Sequence, residues 1–112
     1  VGGVGTWYMT SKYMLEEGFY YLDLLKEDSY HMCAEDLHEL LRAWENFHRI
    51  LAGEAHARHI HFREETRYPG YYYRGDHLAI DDENWKCFVN STYDKESGKW
   101  DIFKREYHQL IP

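Results

Sequence analysis

The chain has 112 residues, a formal net charge of -7, 44% apolar residues and 18% aromatic residues. That length suits one domain, 1–112, and the apolar share excludes a disordered chain. The acidic balance excludes a protein that grips nucleic acid through its phosphates.

No apolar run approaches the ~20 residues of a membrane span, and no signal peptide is visible. Cys33 and Cys87 lack CxxC spacing. They read as reduced, partly buried thiols of a cytoplasmic protein rather than as a disulfide, zinc or iron–sulfur site. Eleven Tyr and four Trp supply rings with a polar tip, which suit interfaces as well as cores.

Residues 1–9 read as a loop. Gly3-Val4-Gly5 lacks the preceding strand and third glycine of a phosphate cradle. The chain opens without an initiator Met, which reads as a processed chain or a piece of a longer one. Thr10 or Ser11 suits an N-cap, and Met14, Leu15, Gly18, Tyr21, Leu22 and Leu25 follow at helical spacing. The first helix is therefore predicted over 10–30. After a break near Cys33, a long helix is predicted over 34–67, with Glu35 and Asp36 in its first turn. Leu37, Leu40, Leu41, Trp44, Phe47, Leu51, Ala55 and Phe62 place its apolar stripe on one face, interrupted only by Gly53.

Two helices joined by a short turn pack antiparallel, so the stripe, with Trp44 in it, is expected to be buried between them. Trp44, Ile50 and Ile60 flank more surface than one partner covers, which calls for a third helix or another domain. Pro69 and Gly70 stop the long helix at Tyr68. Residues 68–85 then read as extended or turn. A β-hairpin is predicted over 86–107, around the loop Asp94-Lys95-Glu96-Ser97-Gly98, with Phe88, Trp100 and Phe103 on its apolar face.

Chemistry-bearing patterns are weak. His56 and His59 share a helix face but His61 points elsewhere, so three solvated or interface histidines are a better reading than a metal site. Glu35, Asp36, Glu39 and Glu45 read as a solvated face, and no serine sits in a GxSxG elbow. No catalytic, cofactor-binding or metal residue is assigned. The run from Arg63 to Asp76 differs: it crowds arginines, carboxylates and tyrosines around a helix stop. Arg67 and Arg74 suit bidentate pairs with carboxylates, either on another body or within this chain through Glu64, Glu65 or Asp81. The docking candidates are Arg63, Arg67, Tyr71, Tyr72, Tyr73, Arg74 and Trp85.

These residues carry a resemblance. Glu39-Leu40-Leu41-Arg42-Ala43-Trp44-Glu45-Asn46, Glu54-Ala55-His56-Ala57-Arg58-His59, the run from Phe62 to Tyr72 and Asp81-Asp82-Glu83-Asn84-Trp85 resemble the C-terminal helical region of the alpha subunit of dissimilatory adenylylsulfate reductase. More distantly, Glu65-Thr66-Arg67, Arg74-Gly75-Asp76 and Asp81 to Trp85 are similar to the ending of succinate dehydrogenase and fumarate reductase flavoproteins. There, Tyr68-Pro69-Gly70 and Gly75-Asp76-His77 depart from the pattern.

The resemblance implies a mostly α fold: an antiparallel helix pair belonging to a three-helix, spectrin-repeat-like bundle. It implies a parent flavoprotein that holds FAD in an upstream domain and works with an iron–sulfur beta subunit. That parent reduces adenosine 5'-phosphosulfate to sulfite and AMP, or runs the reverse. None of the upstream binding motifs is present, so no catalytic or FAD residue carries over. The alternative is a stand-alone interaction module that binds a partner through its Tyr/Arg stretch and exposed helix stripe; a homodimer of the isolated chain would cover the stripe that a missing helix leaves open.

Overall fold

The computed structural model describes residues 9–68 and 71–112. The elements run β1 (Met9–Thr10), α1 (Lys12–Ser29), α2 (Leu37–Phe62), β2 (Tyr73–Arg74), a short helical turn α3 (Asp82–Trp85), β3 (Cys87–Asp94) and β4 (Lys99–Glu106). The glycine-rich loop expected over 1–6 and the Pro69-Gly70 stop lie outside the described residues.

Local chemistry sets both helix starts. The Ser11 hydroxyl accepts the Met14 amide and opens α1. The Asp36 carboxylate accepts the Glu39 amide at 2.8 Å, and the Glu39 side chain accepts the Glu35 amide at 2.9 Å. This reciprocal cap corrects the helix start expected at residue 34: Asp36 serves better as an acceptor for free amides than as a helical residue. Thr10, expected in the first helix, instead pairs in β1. The parallel ladder matches Met9 with Tyr73 and Thr10 with Arg74. Gly75 approaches the Thr10 carbonyl so closely that an added Cβ would lie 3.0 Å from its oxygen.

The helices pack antiparallel, as contacts along them show. Glu16 meets His61 near one end, Phe19 meets Arg58, Lys26 meets Glu54, and Tyr30 meets Phe47 towards the other end. The centre of the pair is ionic. Glu54 is 1% exposed, and accepts from Lys26 at 2.7 Å and from Arg58 at 2.9 Å. Leu15 is the buried apolar residue of α1.

The expected burial of the whole stripe does not occur. Leu37, Leu40, Leu41 and Trp44 of α2 are exposed, Trp44 by 61%, as are Tyr20, Tyr21, Leu24 and Leu25 of α1. The register explains the α2 residues. α1 ends at Ser29, and Tyr30 already packs on Phe47, so the first turns of α2 run beyond α1 with only the connection beside them.

The C-terminal hairpin pairs Cys87 with Glu106 through Asp94 with Lys99. Gly98 takes φ +68°, a left-handed value that suits glycine, and donates its amide to the Asp94 carbonyl. The Asp94 carboxylate accepts from the Glu96 amide and the Ser97 hydroxyl. The register corrects the expected apolar face. Trp100 sits three residues from Phe103, hence on the other side of the strand, and stacks on Tyr93 at 4.7 Å. His59 and Ser91, 2.8 Å apart, fasten the ribbon to α2.

Two substitutions check this packing. Trp44→Ala should cost less than about 1 kcal/mol in urea denaturation of the isolated chain, against about 3–5 kcal/mol for a buried aromatic. Gly53→Ala should raise stability by about 0.5–1 kcal/mol, because a Cβ there meets nothing within 4 Å and mid-helix glycine is costly. Circular dichroism melts would read the gain directly.

Candidate docking corner

α2 ends at Phe62, five residues short of the Arg67 expected from sequence, and Arg63 already has extended backbone at φ -81° and ψ 104°. The cause is tertiary. The Arg74 guanidinium donates from Nη1 to the carbonyls of Ile60, His61 and Arg63 at 2.7, 3.1 and 3.1 Å. These are among the carbonyls that a helix end leaves without partners, and a cation there also complements the helix dipole. Asp76 holds the fork from the other side, accepting Nε at 2.7 Å and Nη2 at 3.1 Å. Arg74 is 1% exposed.

Thr66 braces the same turn. Its hydroxyl donates to the His77 carbonyl at 2.7 Å and accepts the Arg74 amide at 3.0 Å, while its own amide donates to the Ala79 carbonyl.

Beside this lock sits a second one, centred on Glu65. Its carboxylate accepts Arg63 Nη1 at 2.5 Å, Arg67 Nε at 2.7 Å, Arg67 Nη2 at 2.9 Å and the Asp81 amide at 3.0 Å. Arg63 also donates to the carbonyls of Trp85 and Cys87, both at 2.8 Å. Arg67 reaches Asp82 at 2.8 Å. Burial pushes the Glu65 carboxyl up, but the hydrogen bonds from Arg67, the Asp81 amide and Arg63 outweigh it and hold the group below its ordinary value. For Asp76, burial likewise raises and Arg74 lowers, with a net depression.

Trp85 closes the corner at 8% exposure. Phe62 meets it edge-on at 5.5 Å, and the Lys104 ammonium lies 3.7 Å from its ring centroid.

The sequence candidates therefore divide. Arg63, Arg67, Tyr72 and Trp85 line one hollow of about 570 Å³, together with Lys86, Phe88 and Tyr107, none of which is among the docking candidates. Arg74 stands apart as a helix cap. Tyr73 pairs in β2, and Tyr72 shares a hydrogen bond with Thr10 at 2.7 Å. Tyr71 is 82% exposed. The buried Glu65 and Thr66 carry the corner; Glu65 is one of the carboxylates expected to pair with an arginine within the chain, whereas Thr66 stands out in the sequence only as the middle of Glu65-Thr66-Arg67. The histidines do not converge: His59 meets Ser91, His61 meets Glu16 and His56 is exposed. Among the described residues no group of three or more His, Cys, Asp or Glu is placed to hold a metal. Both cysteines are free, and Cys33 is exposed rather than partly buried.

This arrangement of a helix pair and a trailing ribbon is shared with part of solved oxidoreductase chains. Adenylylsulfate reductase from the hyperthermophilic Archaeoglobus fulgidus matches with a TM-score of 0.92 at 50% identity, over 97% of this chain and 17% of that one. An adenosine-5-phosphosulfate reductase solved in complex with sulfite matches at 0.93, with the same identity and coverage. The alpha subunit of adenylylsulfate reductase from Megalodesulfovibrio gigas is 57% identical over 111 residues, 99% of this chain and 17% of that subunit. No protein-family model matches the sequence. The chain is homologous to the C-terminal region of the adenylylsulfate reductase alpha subunit, and spans about one sixth of the length of the relatives it matches.

Glu65→Gln should cost about 3 kcal/mol at neutral pH, because it removes the negative charge between two partly buried guanidiniums. A carboxyl depressed in the folded state stabilises above its unfolded value of about 4.3, and that contribution is lost as pH falls through the folded value. The gap between wild type and Glu65→Gln in urea midpoints should therefore narrow on acidification below that range.

Proposed function

We propose that this chain is the bracing and docking portion of an adenylylsulfate-reductase alpha subunit, with no catalytic residue of its own. The parent subunit would hold FAD and act with an iron–sulfur beta subunit in the cytoplasm. Together they would reduce adenosine 5'-phosphosulfate to sulfite and AMP, or run the reverse.

One observation carries the reading: the buried charged groups of the helix pair and the corner are turned on one another, while many large apolar groups are turned outward. Glu54, Glu65 and Arg74 are buried and bonded within the chain. Leu37, Leu40, Leu41, Trp44, Tyr68 and Tyr71 are exposed. The Leu37–Trp44 cluster at the start of α2 is an apolar surface of the kind that marks a contact with another body, and Tyr68 and Tyr71 stand exposed beyond the other end of that helix. A third helix laid on the α1–α2 pair would complete a spectrin-repeat-like bundle and cover the stripe. In the isolated chain, a homodimer would cover the same residues.

The described residues do not fit a dinucleotide. The N-termini of α1 and α2 are occupied by their own caps, Ser11 and Asp36, and the latter is an anion. The corner guanidiniums are already bonded to carboxylates and carbonyls of this chain. FAD is accordingly assigned to the remainder of the parent subunit. No helix among the described residues is long and apolar enough to cross a membrane.

The test is an absorbance spectrum of the purified chain with its mass in solution. No flavin absorbance, and a monomer or dimer of the short chain, are the expected results. Co-purifying flavin would overturn the assignment of the cofactor to the rest of the subunit.

A further inference from the structure

The hollow between the α2 exit and the ribbon has a charge character opposite to that of the chain. The protein carries -7 overall, yet the charged side chains lining this hollow are Arg63, Arg67 and Lys86 against the single acid Glu65. The two arginines are committed. Arg67 spends Nε and Nη2 on Glu65 and Nη1 on Asp82. Arg63 spends Nη1 on Glu65 and the Trp85 carbonyl, and Nη2 on the Cys87 carbonyl. Both guanidiniums are thus already held by carboxylates or carbonyls of this chain.

Lys86 differs. Its ammonium makes no ion pair among the described residues and stands 5.8 Å from the Tyr107 ring centroid. Around it the rings of Tyr68, Phe88 and Tyr107 remain 70%, 51% and 43% exposed. A volume of about 570 Å³ falls in the ~300–1,000 Å³ range of specific ligand sites. Rings beside a cation that has no ion pair select a group that is apolar at one end and anionic beside it. A basic segment is rejected, because it would meet the Lys86 ammonium.

We propose that this hollow seats an acidic–aromatic polypeptide segment from outside residues 1–112. One aromatic or large aliphatic side chain would lie against Phe88 and Tyr107, with a neighbouring carboxylate on Lys86. The inference rests on the docking reading above and names the chemistry of its partner.

The experiment treats the full chain, together with its natural partners, with a carbodiimide, which joins an amine directly to a carboxylate in contact with it. Peptide mass spectrometry then locates the bridges of Lys86. The expected bridge runs to an Asp or Glu next to an aromatic or large aliphatic residue outside residues 1–112. Lys86→Glu should weaken the association about tenfold, while Lys95→Glu, the same charge change in the hairpin loop, should leave it unaltered. If the association persists but Lys86 bridges only to carboxylates within residues 1–112, of the same or a second copy, or to none, this inference is overturned and the docking reading stands. If Lys86→Glu leaves the affinity unchanged, the inference is likewise overturned. If no association occurs, both fall.

Discussion

Arg74 under the C-terminus of α2 is the contact on which the rest of the corner depends. One guanidinium takes three carbonyls from the helix end and both oxygens of Asp76, and it does so almost without access to water. A helix end without partners is costly when buried, and a buried arginine without partners is costlier still. Each group answers the other's need. The consequence is directional: the chain must leave the helix at Phe62 and turn so that residues 63–76 wrap around the guanidinium. The two-residue ladder between β1 and β2 closes that wrap by tying Met9 and Thr10 to Tyr73 and Arg74.

The lock centred on Glu65 extends the same principle to the ribbon. Its carboxylate gathers two arginines and a backbone amide, and Arg63 passes the connection on to the carbonyls of Trp85 and Cys87, where β3 begins. An antiparallel pair of strands is marginal by itself in water. Here it is held by guanidinium bonds at its base, by His59 and Ser91 further along, and by Lys104 over Trp85. Ionic contacts thus do much of the positioning that an apolar core does elsewhere. The same is true between the helices, where Glu54 rather than a leucine sits at the centre.

That distribution suits a portion of a larger body. A chain that keeps charges inside and leaves leucines, tyrosines and a tryptophan outside has an apolar surface of the kind that contacts cover. The homologous reductase chains are about six times as long as this one.

The sequence by itself determined the elements whose causes are local. Ser11 and Asp36 cap helices because their side chains reach amides three residues away. Gly98 turns the hairpin because it accepts a left-handed backbone, and apolar spacing marks both helices. The run from Arg63 to Asp76 announced itself as a concentration of charge at a helix stop, and the ordered motifs pointed to the reductase subunit.

Only the tertiary structure decided where α2 ends, since its terminator, Arg74, lies more than ten residues beyond the last helical turn. It chose Glu65 among the carboxylates open to Arg67, added Arg63 to it, and brought Lys86, Phe88 and Tyr107 into the same hollow. It also decided that Trp44 faces solvent. Periodicity reports which residues share a face of a helix; whether anything lies against that face is set by the length and register of the neighbouring helix, and α1 stops short of Trp44.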